Sequence, residues 1–136
     1  MLRRVLASLA VLALVAGCGP NAPKPPKPAD GADLAACADG LCEVSARVGA
    51  KVELPAEQTN VESVTVQAVD AGTVMLIARG IGKRQGGSCS GKCEASGTGK
   101  DFKAKLWTGS ELTYNDLAIK LLGVGDGAAV LKFTPQ

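Results

Sequence analysis

Alternating apolar and polar side chains dominate the chain from residue 42 onward. The alternation runs through residues 42–48, 61–69 and 102–107. Because successive side chains of a β-strand point to opposite faces, each of these segments is predicted as a half-buried strand. Two shorter strands are predicted at residues 51–54 and 111–114.

Turn sequences predict two β-hairpins. The first hairpin covers residues 61–77, with its turn at Asp70-Ala71-Gly72. The second covers residues 117–133, with its turn at Gly125-Asp126-Gly127. Aspartate and glycine suit such turns, since both tolerate the left-handed backbone conformation that a tight hairpin needs.

The two hairpins also form a weak internal repeat. Residues 66–76 align with residues 121–131, and the short strand before each hairpin follows Gly49 in one case and Gly109 in the other. Two explanations stay open, namely duplication of a hairpin unit or the general likeness of any two β-hairpins. Both lead to the same architecture.

The fold class predicted from these segments is all-β. We expect a small sandwich or partly open barrel of about seven or eight strands, built around two repeated hairpin units if the repeat is a true duplication. Helix is predicted only as a short turn at Leu34–Ala38, because no later segment has a sustained 3.6-residue apolar period. The glycine-rich and serine-rich segment Gly80–Lys100 is predicted as a long irregular loop.

Residues 1–17 have the layout of a secretory signal peptide. Arg3 and Arg4 give a positive start, Val5–Ala16 is uncharged and apolar apart from Ser8, and the small residue Gly17 precedes Cys18. This layout matches the charged, apolar and small-residue regions of a signal sequence. The apolar run is too short to span a bilayer as a helix.

The end of this leader carries a more specific motif. Val15-Ala16-Gly17-Cys18 resembles the lipobox of bacterial lipoprotein precursors. The resemblance implies that the leader is removed after Gly17 and that the Cys18 sulfur receives a diacylglyceryl group with acyl chains such as palmitate. Two acyl chains anchor a protein stably, whereas one chain binds a membrane only marginally. The alternative is a plain secreted protein in which Cys18 has no such role.

Residues 18–32 are predicted as a lipid-bearing tether. Five of the seven prolines of the chain lie there, together with Lys24 and Lys27. This composition favours an extended polyproline II conformation and cannot bury enough apolar surface to fold. The β domain is therefore predicted to occupy residues 33–136.

Composition excludes several function classes. Without Arg3 and Arg4 the chain carries 13 basic and 13 acidic side chains, so wholesale binding of nucleic acid is not expected. The absence of histidine excludes a Ser-His-Asp triad, a Cys-His pair and histidine ligands for a metal. No spacing singles out a pair of carboxylates either. We therefore expect no enzyme activity, no cofactor and no metal site.

Four cysteines remain once Cys18 is assigned to lipid. They form the pattern Cys37-x4-Cys42 and Cys89-x3-Cys93. An even number of cysteines in an exported protein favours two disulfides over a zinc site, and neither spacing is the tight CxxC of a zinc ribbon. Three pairings are open, of which two local loops are the simplest.

A stretch rich in lysine and arginine follows residues 30–78, in which aspartate and glutamate outnumber the basic side chains. It is a candidate patch for an anionic partner such as lipid head groups or an envelope polymer. The simpler interpretation, which we favour at this point, is that these side chains face solvent and pair weakly with the acidic half. The residues of this candidate patch are Arg79, Lys83, Arg84, Lys92, Lys100, Lys103 and Lys105.

A second resemblance covers most of the predicted domain. Cys42-Glu43-Val44, Gly109-Ser110-Glu111-Leu112 and the stretch 126–131 are similar to segments of small lipoproteins of high-GC bacteria. This resemblance implies no particular activity. The function expected is that of a lipid-anchored extracytoplasmic module that binds or supports the bacterial envelope, at the outer membrane if the host has two. The alternatives are an accessory or sensor subunit that docks on a membrane protein and, more remotely, a small hydrolase.

Overall fold

Ten strands and two short helical segments make up residues 24–82 and 85–136, the part of the chain that the computed structural model describes. The predicted signal peptide, Cys18, Lys83 and Arg84 lie outside these residues. The elements are a 3₁₀ helix (Leu34–Asp39), β1 (Cys42–Arg47), β2 (Lys51–Glu53), α1 (Ala56–Thr59), β3 (Val61–Asp70), β4 (Thr73–Gly80), β5 (Gly87–Ser90), β6 (Cys93–Thr98), β7 (Asp101–Trp107), β8 (Glu111–Tyr114), β9 (Leu117–Gly125) and β10 (Ala128–Pro135).

The strands form two antiparallel sheets that pack as a sandwich. Sheet A has the order β1-β10-β9-β8-β5, and sheet B has the order β2-β3-β4-β7-β6. Alternate side chains of the central strands fill the space between the sheets, including Leu76, Leu106, Ile119 and Phe133. The predicted all-β class is confirmed, and the architecture is the sandwich.

The strand count differs from the sequence-based expectation because of the segment Gly80–Lys100. It contains β5 and β6, which pair with β8 and β7 at the edges of the two sheets. All four residues of β5 are exposed. A strand of small, exposed residues has no apolar face, so its sequence lacks the period-two signal and it is held largely by backbone hydrogen bonds.

The two halves of the chain share one strand order. Strands β2-β3-β4 are consecutive neighbours in sheet B, and β8-β9-β10 are consecutive neighbours in sheet A. The strand that precedes each set crosses to the other sheet, where β1 pairs with β10 and β7 pairs with β4. The sequence repeat therefore corresponds to two equivalent four-strand units that exchange their first strands.

The four cysteines form two local pairs. Cys37 of the 3₁₀ helix pairs with Cys42 of β1 at a Cα–Cα distance of 5.0 Å, and Cys89 of β5 pairs with Cys93 of β6 at 6.3 Å. Both distances fall in the range of disulfides. The second pair connects the edge strands of the two sheets, since β5 belongs to sheet A and β6 to sheet B. It thereby closes one open side of the sandwich.

The proline-rich segment packs on the domain from Lys24 onward. Pro25 lies so close to Gly123 and Gly125 of β9 that a Cβ atom on either glycine would come within 2.8 Å or 2.7 Å of the proline ring. Farther along, the Asp30 N–H donates to the Glu43 carbonyl at 2.9 Å. Composition predicts a free tether up to residue 32, but the described part of it lies along sheet A. The contact depends on glycines about a hundred residues away, which composition cannot reveal.

Replacement of Gly123 by alanine should release this segment. The added Cβ meets Pro25, and the terminal segment can move more easily than the sheet. We expect the backbone order parameters of Lys24 and Lys27 to fall from about 0.85 to below about 0.6. NMR relaxation of these two amides measures the change. The matched control is Gly86→Ala, because a Cβ at Gly86 meets open space. Unchanged order parameters in Gly123→Ala would contradict the packing of Pro25 on β9.

Candidate basic site at one end of the sandwich

Alternation along β7 places two basic side chains and the single tryptophan on one face of sheet B. Ala104 and Leu106 point into the core, so Lys103, Lys105 and Trp107 point outward. Trp107 is the last residue of β7 and pairs with Thr73, the first residue of β4.

Strand pairing brings a third residue to the tryptophan. Lys92 lies in the turn between β5 and β6, and its backbone carbonyl accepts a hydrogen bond from the backbone N–H of Trp107 at 3.2 Å. The Lys92 Nζ atom lies 4.4 Å from the centroid of the indole ring, and the Lys105 Nζ atom lies 5.0 Å from it. Both distances are within the range of cation–π contacts. We call Lys92, Lys105 and Trp107 the Trp107 cluster.

Neither lysine of the Trp107 cluster forms an ion pair with an acidic side chain of the described residues, although Glu94 lies opposite Lys105 in the register of β6 and β7. Among the described residues the ion pairs are those of Lys51 with Glu53 and of Arg79 with Glu62 and Asp101. The Lys92 side chain is exposed, and Lys105 is half-buried. Two ammonium groups beside an accessible aromatic ring therefore remain free to attract an anion.

A shallow groove of about 260 Å³ continues from the cluster across the outer face of sheet B. Its lining mixes charges with small side chains, since Glu94 lies opposite Lys105 in the register of β6 and β7. The lining residues are Met75, Glu94, Ala95, Ser96, Lys103 and Lys105.

The basic patch expected from the sequence does not form one surface in the described chain. Arg79 lies 3.7 Å from Glu62 and 3.5 Å from Asp101, so two carboxylates compensate its charge. Lys100 lies in the turn that joins β6 to β7, at the other end of these strands from Lys92. Lys103 lies between the two ends. Lys83 and Arg84 fall outside the described residues, so only Lys92, Lys105 and the neighbouring Lys103 are shown together.

The end of the sandwich that carries the Trp107 cluster also carries the turns of the two long hairpins. We call it the turn end. Its turns join β1 to β2, β3 to β4, β5 to β6, β7 to β8 and β9 to β10. Asp70 and Asp126 lie in this end and line a cavity of about 430 Å³ between their two turns. The Arg47 guanidinium lies beside Asp126 and donates to its carbonyl at 2.8 Å. The turn end therefore has a basic side at Trp107 and a side of mixed charge at these aspartates.

The opposite end is held by a satisfied polar network. Asn60 and Asn115 both have a left-handed backbone, with φ of 55° and 51°. The Asn115 side chain donates to the Asn60 carbonyl at 2.7 Å, and the Asn60 side chain donates to Asp116. Because these groups bond to one another where the two halves meet, they stabilise the fold.

Tyr114 lies close to this network. Its ring stacks on Phe102 at a centroid distance of 4.6 Å, and its hydroxyl donates to the Gln85 side chain. Burial raises the pKa of Tyr114 above its ordinary value of 10.0, and the Asp101 carboxylate raises it further. The phenol therefore stays neutral at physiological pH and acts as a packing and hydrogen-bonding group.

A separate apolar cleft opens beside the edge strand β2. It has a volume of about 450 Å³ and is bordered by the 3₁₀ helix on its other side. The residues that line it are Leu34, Ala35, Ala38, Lys51, Glu53 and Leu54.

In residues 24–82 and 85–136, no group of three or more cysteine, aspartate or glutamate side chains is placed to hold a metal ion. Within the same residues, no helix has the length and hydropathy needed to cross a membrane.

Comparisons with known proteins give no family assignment. Neither the protein-family models, nor the curated proteins, nor the solved structures include a match to this chain.

Sequence reasoning found the lysines of the site but not the role of Trp107. The alternation in 102–107 already places Trp107 on the face of Lys103 and Lys105. The contact of Lys92 with Trp107 could not be predicted from this alternation. It depends on the pairing of β6 with β7, within a segment whose sequence is typical of a loop.

Removal of both positive charges should make Trp107 less accessible to anions. In Lys92→Gln/Lys105→Gln we expect the ratio of iodide to caesium quenching of tryptophan fluorescence to fall at least about twofold, since the local potential becomes less positive. Trp107 is the only tryptophan, so the emission reports this site alone. Lys100→Gln is the matched control and should leave the ratio unchanged. An unchanged ratio in the double variant would argue against a positive potential at the ring.

Proposed function

We propose that this protein is a membrane-anchored extracytoplasmic lipoprotein that serves as a binding module of the bacterial envelope. In this proposal Cys18 carries the lipid, and the Trp107 cluster binds an anionic partner. The observation that carries the binding role is the position of two lysines, neither in an ion pair with a described residue, over one half-buried indole ring.

Two independent features support the location outside the cytoplasm. The local pairs Cys37–Cys42 and Cys89–Cys93 indicate an oxidising compartment. The leader before Cys18 supplies a route of export, and its last four residues resemble a lipobox. A diacylglyceryl group on Cys18 would attach the exported domain to the membrane surface. That membrane is the outer one if the host has two.

The chemistry of the Trp107 cluster favours a ligand with phosphate or carboxylate groups. A lysine ammonium group is a compact charge that binds such groups without a fixed geometry. The indole ring adds an amphipathic surface beside the charges. Lipid head groups and anionic polymers of the envelope both offer this chemistry.

One observation favours a second candidate function, the accessory or sensor subunit. The cleft of about 450 Å³ beside β2 has apolar walls from Leu34 and Leu54, and it is large enough for a side chain of a partner protein. Such a subunit would co-purify with a membrane protein. No observation supports the hydrolase.

The anchor is tested by Cys18→Ser. Because serine cannot receive the thioether-linked lipid, we expect the membrane-bound fraction to fall at least about tenfold while the domain stays folded. Cell fractionation with immunoblotting measures the distribution, and circular dichroism of the released protein measures the fold. Asn21→Ser, three residues beyond the lipobox, is the matched control and should stay on the membrane. Undiminished membrane attachment of Cys18→Ser would refute the lipid anchor.

A further inference from the structure

The stretch of chain between Cys18 and Lys24 is short, and its length limits how far the domain can lie from the anchor. The described chain begins at Lys24, which with Pro25, Gly72 and Thr108 lines a small cavity of about 170 Å³. The six residues from Cys18 to Lys24 span at most about 20 Å when fully extended. A tether that stayed free to residue 32 would span roughly 45 Å. Docking of Pro25 on β9 therefore holds the domain close to the lipid anchor.

The chain joins the domain at the turn end. Gly72 belongs to the turn between β3 and β4, and the Thr108 N–H donates to its carbonyl at 3.0 Å. Thr108 directly follows Trp107, so the point of attachment and the Trp107 cluster share one end of the sandwich. Lys100 and the polar network of Asn60 and Asn115 lie at the far end.

We propose that the turn end faces the bilayer and that the Trp107 cluster binds the phosphate groups of anionic lipid head groups in the membrane that holds Cys18. This inference rests on the proposed lipid anchor. It assigns the anionic partner of the site to the lipid surface, because a chain of six residues brings the cluster within reach of that surface. The lipid on Cys18 supplies attachment, and the cluster supplies a second contact that fixes orientation.

The side chains of the turn end suit an interface between lipid and water. Tryptophan is enriched at the level of the head groups, where its ring is partly apolar and its N–H is polar. Each lysine near an anionic surface gains favourable electrostatic energy from it. Val48, in the turn between β1 and β2, adds an apolar side chain that is 60% exposed at the same end.

The side of the turn end that carries Asp70 and Asp126 is attracted to the lipid less strongly than the Trp107 cluster. The two aspartates line the cavity between the turns of the two hairpins, and an anionic surface repels them while it attracts Arg47, which donates to the Asp126 carbonyl at 2.8 Å. The basic side at Lys92, Lys105 and Trp107 should therefore lie closest to the lipid.

Fluorescence quenching by labelled lipids tests this orientation. The lipidated full-length mature protein is reconstituted into phosphatidylcholine vesicles with or without phosphatidylglycerol, each with a nitroxide on a fraction of the head groups. We expect strong quenching of Trp107 in the vesicles that contain phosphatidylglycerol. The extent of quenching gives the ratio of protein with Trp107 at the head groups to protein with Trp107 away from them. In Lys92→Gln/Lys105→Gln this ratio should fall roughly fivefold for each lysine removed. Lys100→Gln, which removes one positive charge at the far end, should behave as the unchanged protein.

The outcomes separate the orientation from the anchor. Vesicle-bound protein whose Trp107 is not quenched by the head-group label would overturn the orientation and leave the lipid anchor intact. Protein that does not bind vesicles even though Cys18 is lipidated would overturn both. A soluble poly(glycerol phosphate) that binds the cluster in vesicle-bound protein, with no quenching by the labelled lipid, would assign the site to an envelope polymer and refute the lipid contact.

Discussion

The exchange of first strands between the two halves is the constraint on which the structure depends. Strand β1 completes the sheet of the second hairpin, and β7 extends the sheet of the first. Neither half can bury the inner face of its hairpin without the other, because the core lies between the two sheets. This exchange places the turns of the two long hairpins, β3–β4 and β9–β10, at one end of the sandwich. It also directs the end of β7, and with it Trp107, toward the place where the proline segment joins the domain.

The parts of the fold that follow from local pattern could be predicted from the sequence. Both hairpins were predicted, because each combines a period-two pattern with a glycine turn. Strands β5 and β6 were not, because their small and polar residues carry no apolar face. The packing of Pro25 on Gly123 was not either, since it joins residues far apart in the chain. Register, rather than composition, decides such features.

Strand register also limits how much of the basic site could be predicted from the sequence. Lys103 and Lys105 could be placed on one face from their spacing alone. The neutralisation of Arg79 by Glu62 depends on the pairing of β3 with β4, and the approach of Lys92 to Trp107 depends on the pairing of β6 with β7. The sequence alone favoured solvent-facing lysines paired with the acidic half. The structure supports that interpretation for Arg79, whereas Lys92 and Lys105 form no ion pair with a described residue, even though Glu94 lies opposite Lys105.

A lipid anchor at Cys18, a short link to Lys24 and a basic, aromatic contact at the turn end together describe a domain held against a membrane surface in one orientation. The anchor is the premise for the rest. The most direct measurement is therefore the intact mass of the chain extracted from membranes. We expect a mass that shows the loss of residues 1–17 and the gain of a diacylglyceryl group. A chain that carries no lipid on Cys18 would contradict this description.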